Sequence, residues 1–366
     1  MNNKVDRDYG IDILRILSMM GIIILHINGA GGVLNTCRDL QENISHWIAF
    51  WVEIMAYTSV DVFGLLSGYL GLFKKRNTSY RVIELICIVI FYCLGITLVF
   101  LLAFPETVVG IKGLLISLFP QIDGRYWYIT CYIPIGLLQP YINKMILALS
   151  EKEHRRLSII IVVLFGFLQS AVIKDLFVFK AGYSFVWLLC LYIIGSYIKR
   201  VDLFKTSNRI RLKSFVILLT GSLVLLFGNV LIDVIVHKNL SYFVNYISPI
   251  ILLMSVCIVF IFRNYSIKSG RRIISILSMV TFDVYLFHCH ILIYDNILTD
   301  SFCWIAKEKF LIPIIIVVCA LGVFMASSVV GILRYYIFLA TKTDVLIKTI
   351  SFKLDKLLYE NSEKSI

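Results

Sequence analysis

Two residues in the first apolar run could do chemistry together. Arg15 and His26 lie eleven positions apart, which on a helix is about 1100°, or three turns plus roughly 20°. They therefore share a face, about 16 Å apart along the axis. A guanidinium there suits a phosphate-bearing ligand, and an imidazole suits proton transfer. Asp12, one turn before Arg15, is positioned to neutralise it. The alternative is structural, with a snorkelling Arg at one membrane interface and a capping His at the other.

Further ionisable groups recur in apolar surroundings. Glu53 and Asp61 fall in one run, followed by Ser67-Gly68-Tyr69-Leu70. Two carboxylates there are expected to face a helix bundle rather than lipid. Gly64 and Gly68 allow close helix approach. The plain alternative is a structural carboxylate pair beside packing glycines. A late run, Thr281-Phe282-Asp283-Val284-Tyr285-Leu286-Phe287-His288-Cys289-His290, brings His288 to the depth of His26. A metal is not expected in it, because positions i and i+2 do not share a helix face. Tyr126-Trp127-Tyr128 opens another run, as an interfacial belt or a stacking platform for a sugar ring.

The elements that hold these residues must be membrane helices. The chain of 366 residues is 59% hydrophobic and 16% charged, with a mean hydropathy of +0.88. Soluble domains carry about 25% charged residues. The apolar runs do not alternate as barrel strands would. Ten spans are predicted, at 11–29, 48–70, 82–104, 126–143, 157–174, 182–198, 214–236, 246–262, 273–294 and 311–333. Lys4 and Arg7 precede the first run, but Arg15 inside it argues against a cleaved signal. The expected fold class is therefore an all-α polytopic bundle, with a membrane domain over 1–340 and an amphipathic basic tail over 341–366.

Charge placement orients the bundle. Loops 71–81, 144–156, 199–213 and 263–272 together hold 18 Lys and Arg residues, whereas the alternating set holds 7. The richer set is expected to be cytoplasmic, with both termini inside. The net charge of +12 then reflects contact with anionic lipid rather than nucleic acid. Most of the nine cysteines lie inside spans, as small hydrophobes. Cys37 and Cys303 fall in predicted outer loops, where a pairing is open.

Four segments, in order, resemble the acyltransferase family 3 integral-membrane O-acyltransferases. "YGIDILRILSMMGIIILHI" (9–27) is similar to the family's basic residue, ten residues, then His. "SVDVFGLLSGYL" (59–70) resembles its Asp segment ending in Ser-Gly-aromatic. "RYWYITCYIPIGLLQPYI" (125–142) resembles its Trp-aromatic segment ending in Pro, and "TFDVYLFHCH" its late Tyr-Leu-x-His. "YISPIILLMSVCIVFIF" (246–262) is similar to members from polysaccharide clusters. The first inner loop departs from the family: Arg76 and Arg81 are five apart with no proline. Gly64 also stands where an aromatic is usual.

The resemblance implies a multi-pass enzyme of the bacterial cytoplasmic membrane with no tightly bound cofactor. It would move an acetyl or related acyl group from acyl-CoA to a hydroxyl of a cell-surface or lipid-linked polysaccharide sugar. Arg15, Arg76 and Arg81 would contact the donor. His26 would be the base, with His288 and Asp283 as support or alternative, and Ser67 as an optional covalent carrier. Glu53, Asp61, Trp127 and Tyr285 would serve the acceptor or the scaffold. Two rivals are a flippase of a lipid-linked sugar and a non-catalytic partner of a polysaccharide assembly complex.

Overall fold

A computed structural model describes residues 7–73, 78–172, 174–201, 207–236 and 243–358. The described residues form helices and turns and contain no strand. The chain opens with α1 (Tyr9–Asn28), a short α2 (Val33–Asp39), α3 (Asn43–Gly71) and α4 (Thr78–Ala103). Then come α5 (Gly110–Leu118), α6 (Trp127–Ala148), α7 (Glu151–Ile161) with a π-helical extension over Val162–Leu168, and α8 (Phe185–Arg200). The second half holds α9 (Asn208–Val236), α10 (Pro249–Phe262), α11 (Arg271–Met279), α12 (Thr281–His288), the single turn α13 (Ile291–Ile293), α14 (Ile312–Ala340) and α15 (Thr343–Leu358).

The predicted spans fall on helical stretches of the described residues, with one of them broken. Five of the described helical stretches are long and apolar enough to cross a membrane, and α10 is a shorter apolar helix. The span expected over 273–294 is not one helix. It breaks at Val280, and again after His288. Apolar patterning cannot register such breaks, because a break that stays buried keeps the same composition.

α1 and α3 form the centre and run antiparallel. Asn28 Nδ2 donates to Ala49 O at 3.1 Å, while a Cβ on Gly21 would meet Ser59. α8 lies against the other side of α3. Gly68 faces the Tyr192 carbonyl so closely that a Cβ would stand 1.9 Å from it, and Gly195 faces Leu65 in the same way. Only glycine permits that separation. Asp61, fully buried on α3, accepts from Trp187 Nε1 of α8 at 3.1 Å. It is a strut of this crossing.

The outer helices carry the lipid-facing surface. Leu98 and Leu102 of α4, Val224 and Phe227 of α9 and Val318 of α14 are all exposed. Apolar area on that scale is stable in hydrocarbon, not water. All nine cysteines are free, so Cys37 and Cys303 do not pair. The tail segment forms α15, which lies along α4 and is tied to it by the Tyr80 hydroxyl donating to Asp344.

Candidate active site

A cavity of about 1400 Å³ runs between the central helices, larger than the roughly 300–1,000 Å³ of a usual ligand pocket. Arg15, Met19, Ile22 and His26 of α1 line it, together with Glu53, Tyr57, Val60, Phe63, Ser67 and Leu70 of α3. Spacings of three and four are one stripe on each helix. The cavity therefore follows α1 for most of its length.

Its two ends differ in chemistry. The end at the start of α1 is basic, lined by Arg7, Arg15, Arg81, Arg272 and Arg334. Two of these are occupied. Arg7 pairs with Asp12, and Arg334 makes a bidentate pair with Asp283, both contacts at 2.7 Å. Among the described residues Arg15, Arg81 and Arg272 have no ion pair. Asp12 makes no ion pair with Arg15 among the described residues; Arg7 takes one of its oxygens and Ser278 Oγ donates to the other at 2.8 Å. The half-buried Arg15 and the exposed Arg81 and Arg272 offer guanidinium donors to an anion at this end. Arg76 lies outside the described residues.

The far end is aromatic. Trp127 is 4.8 Å from Tyr183 and stacks at 6.2 Å on Tyr246, which also meets Tyr57 at 5.1 Å. Trp127 reaches this cluster because α6 begins abruptly after Tyr126, held at φ 55° by a hydroxyl that donates to Leu286 O. Glu53 is buried beside the cluster, with Oε2 unpartnered. Arg125 lies 4.5 Å over the Tyr294 ring and pairs with Asp295 at 2.8 Å.

His26 and His288 meet at this end. His26 Nδ1 is 3.1 Å from His288 Nε2, and the edge of Tyr294 packs 5.2 Å from the His26 ring. His288 Nδ1 bonds the Val284 carbonyl one turn back. A carbonyl only accepts, so His288 carries its proton on Nδ1 and presents a lone pair at Nε2. For neutral rings His26 must then donate from Nδ1. Its Nε2 keeps a lone pair and has no partner among the described residues. That is the arrangement of an oriented general base.

The other candidates divide. Asp283 stands at the cavity wall but does not touch either histidine. Arg334 and Tyr92, whose hydroxyl donates at 3.0 Å, hold it. These contacts clamp α12 to α14 and α4. The Ser67 hydroxyl donates to its own helix at Phe63 O, 2.8 Å away. Tyr128 is its other hydrogen-bonding neighbour, and neither histidine reaches it among the described residues. Tyr285 lies between Tyr126 and Tyr128 on the cavity wall. His290 turns away, donating from Nε2 to Ser117 O at 3.1 Å and accepting Leu292 N–H at Nδ1. Tyr294, Arg125, Tyr183, Tyr246 and Arg334 escaped sequence reasoning. They lie in loops or on other helices, where no fixed spacing links them to Arg15 or His26.

A family model described as an acyltransferase domain matches residues 8–333. No curated protein and no solved structure matches the chain.

Proposed function

Since the chain belongs to acyltransferase family 3, and is a multi-pass membrane protein by its apolar helices, we propose that it is an O-acyltransferase of the bacterial cytoplasmic membrane. The donor is acetyl-CoA or another short acyl-CoA, and the acceptor is a hydroxyl of a cell-surface or lipid-linked polysaccharide sugar. One observation carries this reading. A single cavity joins Arg15 and Arg81, which have no ion pair among the described residues, to the oriented His26.

The donor's phosphates lie against Arg15 and Arg81 at the cytoplasmic end, and its thioester reaches toward His26. The acceptor ring stacks on Trp127 and its tyrosine neighbours, which suits the apolar faces of a sugar. His26 Nε2 removes the hydroxyl proton as the oxygen attacks the thioester carbonyl. The tetrahedral intermediate then expels the CoA thiolate, and the imidazolium returns the proton to that sulfur. His288 holds the His26 tautomer throughout. Transfer is direct, with no acyl-enzyme.

The test is the O-acyl content of surface polysaccharide in a deletion strain complemented with wild type, His26→Ala or Arg15→Ala. Wild type restores acylation, and both variants insert into the membrane but fail to do so. Unchanged acyl content on deletion, with loss of the polymer itself, would instead identify a flippase.

A further inference from the structure

The His26–His288 pair has a third member. Cys289 Sγ is 3.4 Å from His288 Nε2 and 3.8 Å from His26 Nδ1, the two nitrogens being 3.1 Å apart. These three atoms are a candidate metal-holding group among the described residues. The triangle has the dimensions of one face of a tetrahedral zinc site. With Zn–N of about 2.0–2.1 Å and Zn–S of about 2.3 Å, tetrahedral angles put the nitrogens about 3.3 Å apart and each nitrogen about 3.6 Å from sulfur.

Consecutive residues on a helix normally point about 100° apart. His288 and Cys289 nevertheless meet at their side-chain ends, with Cys289 still holding helical backbone at φ −89°, ψ −2°. His288 is the last residue of α12 and Cys289 its C-cap, after which His290 turns into extended backbone. The His288–His290 spacing that argued against a metal is thereby bypassed. The second imidazole comes from α1, and the thiol from the helix end.

The surroundings fit a bound ion. His288 Nδ1 is already tied to the Val284 carbonyl, the outer-sphere bond that a ligating histidine needs to aim its other nitrogen. His288 and Cys289 are buried, whereas His26 and Cys289 also line the cavity, leaving the fourth tetrahedral position open to it. The cation at this end, Arg125, is engaged by Asp295 at 2.8 Å and Asp123 at 3.8 Å.

We propose that His26, His288 and Cys289 form a site for a thiophilic divalent cation of the zinc type, and that its occupancy shuts off the His26 base. Soft sulfur with two imidazoles selects such ions over magnesium or calcium. On binding, Cys289 releases its thiol proton to water and ligates as thiolate. His26 ligates through Nδ1, so its proton moves to Nε2, and the atom facing the cavity becomes a donor instead of a base. The inhibitory consequence rests on the proposed acyl transfer; the site itself does not.

The experiment is a cobalt(II) titration of the purified protein in detergent micelles, without donor or acceptor. One equivalent is expected to give the visible bands of tetrahedral cobalt and a thiolate-to-cobalt charge-transfer band, both displaced by zinc. Cys289→Ser should lose the charge-transfer band and weaken binding at least about tenfold. His288→Ala should weaken it similarly, whereas Cys93→Ser, at a buried thiol on α4, should leave the spectrum unchanged. A charge-transfer band that survives Cys289→Ser, or a wild type that gives no stoichiometric tetrahedral spectrum, overturns the site. A second measurement guards against misfolded variants, because zinc should protect Cys289 of wild type from alkylation. Alkylation at the same rate with and without zinc also overturns it. Zinc should in addition inhibit acyl transfer. Cobalt binding without zinc inhibition would keep the site and remove its link to the base.

Discussion

His26 Nδ1 donates to His288 Nε2 across 3.1 Å, and His288 is itself anchored to the Val284 carbonyl. One histidine is thus presented to the cavity by the other. The two roles are separable. His26→Ala should lower the rate of acyl transfer by about 10²–10⁴-fold, the range of a general base. His288→Ala should cost less and should change the pH dependence of the rate, since the remaining His26 can then adopt either tautomer. Membrane vesicles with radiolabelled acyl-CoA measure both. Equal loss in the two variants with one common pH profile would argue against the positioning role.

Arg15 has no ion pair among the described residues, so replacing it breaks none. Arg15→Ala should leave thermal stability nearly unchanged while raising KM for acyl-CoA. A charge-assisted hydrogen bond is worth about 1.5–3 kcal/mol, which predicts roughly a 10–100-fold rise. Arg15→Lys should recover part of it. A stability loss with unaltered KM would move Arg15 into the scaffold.

The opposite holds for Asp283. Its bidentate pair with Arg334 is buried, and removing one partner leaves an uncompensated charge, at a cost of about 3–5 kcal/mol. Asp283→Ala should lower the melting temperature markedly in detergent. The double variant Asp283→Ala with Arg334→Met should be more stable than Asp283→Ala alone. Equal stability of the two would show that the pair is not the source of the loss.

Trp127 gives a test that separates the two proposed substrates. Its ring joins Tyr183 and Tyr246 at the aromatic end, far along the cavity from Arg15. Trp127→Ala should raise KM for the acceptor and leave KM for acyl-CoA unchanged. A joint rise in both would mean that the two ends do not bind different substrates.

The tail helix responds to acid. The Lys348 ammonium, then the Tyr80 hydroxyl, hold the exposed Asp344 carboxyl below its ordinary range. A depressed carboxylate contributes its contacts above the unfolded value near 3.9 and loses them as pH falls through the lowered value. Hydrogen exchange along α15 should therefore rise below about pH 4, and Asp344→Asn should show the faster exchange at neutral pH. Insensitivity of α15 to both would show that other contacts dock it.

The all-α membrane class, the rough positions of the long apolar helices and the Arg15–His26 stripe were legible in the chain. Each follows from composition or from the repeat of a single helix, which fixes relative directions without reference to anything else. Asp61 and Asp283 show where that ends. Both were recognisable as buried carboxylates, but their partners, Trp187 and Arg334, stand on helices far away in sequence. Their structural roles depend on packing. Cys289 marks the limit most clearly. It joins the two histidines because α1 packs alongside the end of α12, and that packing leaves no periodic signal. Local spacing determined which groups share one face of a helix and so line the cavity; tertiary packing alone decided which of them meet.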